Sequence, residues 1–289
     1  MEKATRHQTK DHNSRLVLKT IYRAGEISRA DIARRTGLTR PTVSSLVAAL
    51  LDDDLVVETG QGQSAGGKRP TLVAIDDQRH HVLTLDLSGD DYRGALITLR
   101  GRVIRRATCS AGGLRGERSL DCVYRLVDEL QPAGALLGIG VATPGLVDPQ
   151  RGIVLRAVNR GWIDLPLRQM LTECYERPVY VANDSHMAAL AEYTYGAVTN
   201  SNLIVIRVGQ GIGAGIILQG RSFYGDGFGA GEIGHVVVDV NGALCSCGNR
   251  GCLETTSSVP AILRLAAAAD RRQSSLAGGA PPTWPEVIA

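Results

Sequence analysis

Residues 231–235 read Gly-Glu-Ile-Gly-His, and residues 245–254 read Cys-Ser-Cys-Gly-Asn-Arg-Gly-Cys-Leu-Glu, with nine residues between the two stretches. Three thiolates and one imidazole form a closed tetrahedral zinc set, which stabilises structure and leaves no open position for water. The alternative is a group of buried free thiols beside a core histidine, but cysteines seldom cluster in this way by chance. The predicted zinc ligands are His235, Cys245, Cys247 and Cys252.

The residues around the cluster suggest what the metal is for. Gly248 and Gly251 lie between the second and third thiols, where a short chain must turn tightly around an ion, and glycine reaches positive φ without steric cost. Two carboxylates, Glu232 and Glu254, flank the cluster. We therefore predict that the metal braces a polar site and does no chemistry itself.

The overall composition is that of a globular protein. A chain of 289 residues suggests two or three domains, and a hydrophobic content of 44% is enough for a sizeable core. We find neither an apolar run near eighteen residues nor a signal peptide, so we expect a cytoplasmic protein with no membrane partner. Cys109, Cys122 and Cys174 are scattered along the chain, which fits free thiols in a reducing compartment.

The charged residues are unevenly distributed. Residues 1–70 hold 12 Lys and Arg against 8 Asp and Glu, whereas residues 71–289 hold 20 against 21. The basic surplus makes the first segment the candidate for contact with a polyanion. Whether it makes that contact depends on which secondary-structure elements carry the basic residues.

The first segment carries the pattern of a helix-turn-helix. Apolar residues recur at three- and four-residue spacing as far as Gly25, which predicts a helix preceded by a flexible arm over residues 1–12. Ser28 begins a capping box that opens a short helix, Gly37 makes the turn, and Thr39 caps the next helix. Two short helices joined by such a turn match the plan in which the second helix enters the DNA major groove.

Two predicted strands follow, Leu55-Val-Val-Glu58 and Thr71-Leu-Val-Ala74, with a polar loop between them that ends in two cations. We interpret the pair as the wing of a winged helix-turn-helix domain over residues 13–75, with the cations near phosphates or the minor groove. The alternative is a helical protein-interaction module with solvated charges. The candidate DNA contacts are Arg40, Thr42, Ser44, Ser45, Lys68 and Arg69.

Residues 76–80 form a predicted domain boundary, because the pattern becomes strand-like after them. Three short β-rich runs predict an antiparallel meander, and the apolar run Ala135–Thr143 predicts a buried strand. A further strand ends in Asn183-Asp184, and another strand pair encloses the glycine-rich turn Gly209–Gly215. Strands with polar residues at their C-terminal ends indicate an α/β domain with a ligand cleft at those ends.

These motifs together resemble the ROK family of repressors, uncharacterised open reading frames and sugar kinases, and in particular its repressor branch. The resemblance implies, over residues 80–289, an α/β actin-like ATPase (ribonuclease-H-like) domain in two lobes with a sugar in the cleft. Because family members continue well past the zinc motif, it also implies that the second lobe is truncated here. The motifs that carry the resemblance are the helix-turn-helix with Gly-Gly-Lys-Arg-Pro70, Gly140–Asp148, Asn159–Trp162, Asn183-Asp184, Gly209–Gly215 and the Cys-x-Cys-Gly-x-x-Gly-Cys-x-Glu stretch.

The resemblance also implies which residues line the sugar. In the family, the zinc-site histidine binds the metal with one ring nitrogen and contacts the sugar with the other. Amides and carboxylates suit vicinal hydroxyls because they supply paired donors and acceptors. In a kinase, Asp184 would be the general base for the attacking hydroxyl, whereas on local grounds Asn183-Asp184 also fits a strand-end Asx turn. The implied sugar contacts are Asn159, Asn183, Asp184, Glu232, His235 and Glu254.

The phosphate loops depart from the kinase pattern. Family kinases carry Asp-x-Gly-Gly-Thr where this chain has Asp86-Leu-Ser-Gly-Asp-Asp91, so one glycine is lost and the threonine position is an aspartate. Asp90 and Asp91 put negative charge where phosphates would lie, and such a like-charge contact is repulsive. In the second loop, Gln210 stands where kinases usually have threonine. Both departures argue against ATP binding and against enzyme activity. The alternative is a variant loop that still binds ATP weakly.

A DNA-binding head joined to a sugar cleft with degenerate phosphate loops predicts a sugar-responsive transcriptional regulator, and first of all a repressor of carbohydrate-metabolism genes. Its expected partners are double-stranded operator DNA, a monosaccharide or sugar derivative, and a second copy of the chain, because a dimer places two recognition helices in successive major grooves. Two alternatives are an ATP-dependent sugar kinase with an appended DNA-binding head and a zinc-sensing repressor, which the closed ligand set disfavours.

Overall fold

The computed structural model describes residues 6–63, 69–132, 134–196 and 200–273. The chain divides into two compact units. The first contains residues 1–83, 96–105 and 131–137, and the second contains residues 84–95, 106–130 and 138–289. Within the described residues, no helix is both long and apolar enough to cross a membrane.

The first unit is a winged helix-turn-helix, as predicted. Its helices are α1 (Arg6–Ala24), α2 (Arg29–Thr36) and α3 (Arg40–Asp52), and its strands are β1 (Ile27–Ser28), β2 (Val56–Gln61) and β3 (Thr71–Ile75). β3 lies between β1 and β2 and is antiparallel to both. Apolar side chains from all three helices and all three strands fill one core, which is why the short helices are stable here.

Local signals set the ends of the two central helices. Ser28 Oγ accepts a hydrogen bond from the backbone N–H of Asp31 at 3.2 Å, and Thr39 Oγ1 accepts one from the backbone N–H of Thr42 at 3.4 Å. Gly37 ends α2 with a φ of 71°, in the left-handed region that glycine enters easily. The buried stripe of α3 consists of Val43, Leu46, Val47 and Leu50.

The first helix begins earlier than the sequence predicts. α1 starts at Arg6, so the prediction of a flexible arm over residues 1–12 is wrong for residues 6–12. The stretch has neither glycine nor proline before Gly25, and most polar residues cost an exposed helix position little. A polar composition therefore does not exclude a helix whose apolar face begins only in later turns.

A turn from later in the chain also belongs to the first unit. It joins β5 (Asp91–Thr98) to β6 (Val103–Ser110), which follow β4 (His80–Asp86). Arg100 in this turn donates hydrogen bonds to the carbonyl oxygens of Tyr22 at 3.1 Å and Gly25 at 3.3 Å. Its guanidinium carbon also lies 5.3 Å from the centre of the Tyr22 ring. The end of α1 is thus held by residues outside the predicted domain of residues 13–75.

The remaining elements follow in chain order. They are α4 (Glu117–Leu130), β7 (Ala135–Thr143), β8 (Leu146–Asp148), β9 (Ile153–Ala157), β10 (Trp162–Leu165), α5 (Leu167–Tyr175), β11 (Val179–Asn183), α6 (Asp184–Tyr195), β12 (Leu203–Val208), β13 (Ile212–Leu218), β14 (Arg221–Ser222), α7 (Leu253–Ser257) and α8 (Val259–Gln273). The largest sheet has the order β11-β7-β4-β5-β6, in which β4, β5 and β6 keep the predicted meander order. β11 runs parallel to β7, so both strands end at the same edge.

Two smaller sheets complete the second unit. One is formed by β10, β9 and β8, which the sequence did not predict, and the other by β12, β13 and β14. β13 lies against the start of α6, where a Cβ on Gly213 would come within 2.6 Å of Ser185 Oγ. The glycine at position 213 thus allows β13 to pack closely on α6, whether or not the turn also contacts a ligand.

The structure corrects the prediction that Cys109 and Cys122 are free thiols. Cys109 near the end of β6 and Cys122 in α4 are joined by a disulfide, with their Cα atoms 5.7 Å apart. Both side chains are buried. The pairing depends on how α4 packs on β6, which residue spacing alone does not reveal. Cys174 is exposed and free.

Candidate functional site

Four potential metal ligands converge in the second unit. The ligand atoms of His235, Cys245, Cys247 and Cys252 all lie within 4.8 Å of one another. Cys245 Sγ is 3.6 Å from His235 Nδ1, and Cys247 Sγ is 3.7 Å from Cys252 Sγ. In a tetrahedral site with Zn–S bonds of about 2.3 Å, neighbouring sulfur atoms are about 3.8 Å apart. The donors and their spacing therefore fit a zinc ion.

The backbone between the thiols forms the tight turn that such a site requires. The N–H of Cys245 donates to the carbonyl oxygen of Asn249 at 2.8 Å, and the N–H of Gly248 donates to the carbonyl oxygen of Cys245 at 3.0 Å. Gly251 has a φ of 64°, and a Cβ there would overlap the backbone of Asp239. Only glycine satisfies both conditions, so the sequence of this turn is dictated by its geometry.

A cleft of about 530 Å³ in the second unit adjoins this cluster. Its size falls within the range of small-molecule sites. It lies where β7 and β11 end, because Pro144 and Gly145 after β7 and Asn183 at the end of β11 all line it. It brings together all six residues predicted to contact a sugar, which are Asn159, Asn183, Asp184, Glu232, His235 and Glu254.

The side chain of Asn183 is used to build the site. Its Oδ1 accepts hydrogen bonds from the backbone N–H groups of Ser185 at 2.9 Å and His186 at 3.3 Å, which caps α6. Its Nδ2 donates to the carbonyl oxygen of Gly145 at 2.9 Å. Asn183 therefore fixes the strand-to-helix corner, as the Asx-turn alternative predicts. In doing so it places Asp184 at the first position of α6, where the helix dipole favours a carboxylate.

His235 presents its two ring nitrogens to different groups. Nδ1 lies 3.6 Å from Glu254 Oε1, on the same side as the Cys245 thiol, whereas Nε2 lies 3.6 Å from Glu232 Oε2. One nitrogen therefore faces the cysteine cluster and the other faces a carboxylate of the cleft. This is the arrangement that a histidine shared between a metal and a ligand requires.

Two carboxyl groups of the cleft, Asp184 and Glu232, have a raised pKa. Burial raises the pKa of Asp184, and the nearby Asp86 adds to this rise while Arg207 opposes it. Burial likewise raises the pKa of Glu232, and the negative charges of Asp184 and Glu254 add to it. A cleft that gathers partly buried acids in this way suits a ligand rich in hydroxyl groups, which can donate to them.

Arg207 is the site residue that sequence reasoning missed. Its Nη1 lies 2.7 Å from Asp184 Oδ2, and its Nη2 donates to Ser88 Oγ at 3.4 Å. Nearby, Gln210 Nε2 donates to Asp90 Oδ2 at 3.4 Å. The two segments that replace the phosphate loops of kinases are thus joined by their own side chains. In the sequence, Arg207 appears only as a single cation within the apolar run of β12, and it belongs to no recognised motif.

The predicted DNA-binding face lies on the first unit. Arg40, Ser44 and Ser45 are exposed on α3, opposite its buried stripe, and Arg69 is exposed next to β3. Thr42 is half-buried, and its Oγ1 lies 2.8 Å from Thr39 Oγ1, so it belongs partly to the helix cap. Lys68 lies outside the described residues.

Comparison with known proteins agrees with this architecture. The sequence matches the ROK family over residues 82–277 and the MarR family over residues 13–69. It is 34% identical over 270 residues to the xylose repressor of Bacillus subtilis (strain 168), which covers 91% of this chain and 70% of the repressor.

Two solved structures share the fold. A ROK family transcriptional regulator described as a homologue of the Escherichia coli MLC protein superposes with a TM-score of 0.76 at 27% identity, over 97% of this chain and 71% of that one. A ROK family glucokinase from Streptomyces griseus, in complex with glucose and AMPPNP, gives a TM-score of 0.63 at 28% identity, over 68% of this chain and 62% of the kinase. With a MarR-like winged helix-turn-helix followed by an actin-like domain, the chain belongs to the ROK family.

Proposed function

We propose that this protein is a sugar-responsive transcriptional repressor of carbohydrate-metabolism genes. The observation that carries the proposal is the presence, in one chain, of a winged helix-turn-helix and of a cleft in which Asp184 is paired with Arg207. The first feature supplies DNA binding, and the second supplies a fixed hydrogen-bond acceptor for a ligand. The similarity to a xylose repressor over 91% of the chain supports the same function.

A sugar fits the chemistry of the cleft. Asp184, Glu232 and Glu254 supply acceptors for hydroxyl groups, and His235 Nε2 and the amide of Asn159 add polar atoms on the same lining. Zinc would be held by His235 and the three cysteines as a structural ion, since four protein ligands leave no coordination position for a substrate. The metal would then fix the position of the His235 ring at the edge of the sugar site.

Sugar binding must act on DNA binding through a difference in affinity between two arrangements of the protein. A ligand shifts such an equilibrium only as far as it binds one arrangement better. We propose a homodimer, because two recognition helices read half-sites about one helical turn, or a multiple of it, apart. A sugar that favours an arrangement with another spacing would release the operator.

A sugar kinase with a DNA-binding head is the second candidate, and the likeness to a glucokinase with bound glucose and AMPPNP favours it. Two contacts argue against a kinase. Gln210 donates a hydrogen bond to Asp90 between the two segments that depart from the kinase phosphate loops, and Asp184 forms a salt bridge with Arg207. Sugar-dependent release of ADP by the purified chain, abolished by Asp184→Asn, would establish the kinase.

A thermal-shift screen of the zinc-loaded protein tests the effector. Monosaccharides, N-acetyl sugars and sugar phosphates are added at millimolar concentration, with and without Mg·ATP. We expect one sugar to raise the unfolding midpoint by several degrees, since ligand at about 100 times its Kd stabilises by about 2.7 kcal/mol. The response should be independent of ATP.

Two variants make this screen specific. Asp184→Asn, which keeps the volume but loses the charge, should abolish the response to the sugar. Asp121→Ala, on the exposed side of α4, should leave it unchanged. A response that needs sugar and ATP together would support the kinase. A folded protein that responds to none of these compounds would contradict a sugar sensor.

The wing makes a separate prediction about DNA. Replacing both Lys68 and Arg69 by alanine should weaken binding to all duplex sequences and reduce the slope of log affinity against log salt by about 1.8, since each phosphate contact contributes about 0.9. Fluorescence anisotropy between 50 and 200 mM salt measures the slope. The double variant Arg125→Ala/Arg177→Ala, which removes two exposed cations elsewhere, is the control. An unchanged slope would remove the wing from the DNA interface.

A further inference from the structure

Arg207 occupies the part of the cleft in which a kinase of this fold would carry out its reaction. On one side its guanidinium contacts Asp184, the residue that would act as the base, at 2.7 Å. On the other side it donates to Ser88 in the loop that replaces the first phosphate loop. Ser88 is itself fixed, because its backbone N–H donates to Asp86 Oδ1 at 3.0 Å.

Both oxygens of Asp184 are already engaged. Oδ2 is paired with Arg207, and Oδ1 accepts the backbone N–H of Ser185 at 2.8 Å. The Asp184 side chain is 16% exposed, so water screens the pair only in part. Oδ1 also accepts a hydrogen bond from Ser185 Oγ at 3.4 Å, so Oδ2 is the oxygen that can accept one more, for example from a hydroxyl group. Burial still raises the pKa of Asp184, and the Arg207 guanidinium offsets only part of that rise by stabilising the charged carboxylate through charge-assisted bonds.

We propose that Arg207 is a positioning residue that takes the place of a nucleotide in this cleft. It holds Asp184 as a hydrogen-bond acceptor for a sugar hydroxyl, and it ties the loop of residues 86–91 to β12. The cleft therefore binds sugar without ATP. The contact between Gln210 and Asp90 joins the same two segments a second time. The inference rests on the proposed function, because it assigns the ligand of Asp184. It explains why this chain keeps a kinase-like base but pairs it with a cation.

The first test is the pH dependence of sugar binding. The charged or titratable groups that act on Asp184 are Arg207, Asp86, Glu232 and His186. Removing Arg207 leaves burial and the like charges, which all favour protonation of Asp184. In Arg207→Gln, the affinity for the sugar found in the screen should therefore be about tenfold lower at pH 7.5 and fall further towards pH 5.5.

Matched variants separate charge from shape in this test. Arg207→Lys restores a cation, so its pH profile should follow that of the wild type between pH 5.5 and 7.5. Arg177→Gln removes an exposed arginine after α5 and should change nothing. A flat profile with unchanged affinity in Arg207→Gln would overturn the proposal.

The second test needs no sugar, so it separates the role of Arg207 from the proposal that the protein binds a sugar. We expect Arg207→Gln to lower the unfolding midpoint by about 5 °C at pH 7.5, and by less at pH 5.5, because an unpaired buried carboxylate costs stability once it ionises. In an Asp184→Asn background the same change should have little effect at either pH. Equal losses in both backgrounds would show that Arg207 does not act through Asp184. If this cycle holds and no sugar binds, the proposed effector fails, and only the positioning of Asp184 by Arg207 stands.

Discussion

Replacement of Cys252 by serine is expected to abolish binding of one zinc ion per chain and to lower the unfolding midpoint by more than about 10 °C. Structural zinc in zinc-finger peptides contributes about 10–16 kcal/mol at neutral pH, and in a chain of this size about 1 kcal/mol corresponds to roughly 2–4 °C. Cys252 is fully buried, and its Sγ lies 3.7 Å from that of Cys247. Loss of about half of the metal's contribution therefore produces a shift of this size.

The matched control is Cys174→Ser, because Cys174 is exposed and free and lies in α5. It should retain both the zinc and the midpoint. Zinc content by inductively coupled plasma mass spectrometry and midpoint by calorimetry are measured on the same samples. A Cys252→Ser protein that keeps one zinc per chain, or that loses zinc with no shift in midpoint, would contradict a structural site.

Replacement of Ser45 by glutamate should reduce affinity for a specific duplex by about 100-fold without changing the fold. Ser45 is exposed on α3, on the face opposite Val43, Leu46 and Val47. A carboxylate there would meet the phosphates and the acceptor-rich base edges of the major groove, and a like-charge contact at an interface costs several kcal/mol. Since the side chain leaves the core untouched, the midpoint should move by less than about 2 °C.

The probe for this measurement is a duplex selected from a random pool by the wild-type protein, with affinity followed by fluorescence anisotropy. Thr172→Glu adds the same charge on the exposed side of α5 and is the control. Loss of affinity in both variants would indicate a general charge effect. Full affinity in Ser45→Glu would mean that α3 is not the recognition helix.

The sequence was most informative where the structure is determined locally. Ser28, Gly37 and Thr39 mark the ends of two helices because a cap depends on residues only a few positions away. The cysteine cluster was also visible, because its spacing carries chemistry of its own. The strand-to-helix corner at Asn183 followed from the same kind of short-range hydrogen bonding.

Two pairings between residues distant in the chain were not predicted from the sequence. The ion pair between Asp184 and Arg207 and the disulfide between Cys109 and Cys122 arise only when a strand packs beside a helix. Arg207, Cys109 and Cys122 are each, taken alone, ordinary strand or helix residues. The sheet of β8, β9 and β10 was missed for a similar reason, since its strands have three to five residues and gain stability mainly from one another.

The turn that holds the end of α1 has a consequence for protein engineering. A chimera that exchanges only residues 1–80 with a relative would leave Arg100 behind and place a foreign helix end against it. Arg100 donates to the backbone carbonyls of Tyr22 and Gly25, which any sequence supplies, but its stacking depends on the Tyr22 ring. The interchangeable DNA-reading module of this chain is therefore discontinuous, and residues 96–105 should be transplanted together with the head.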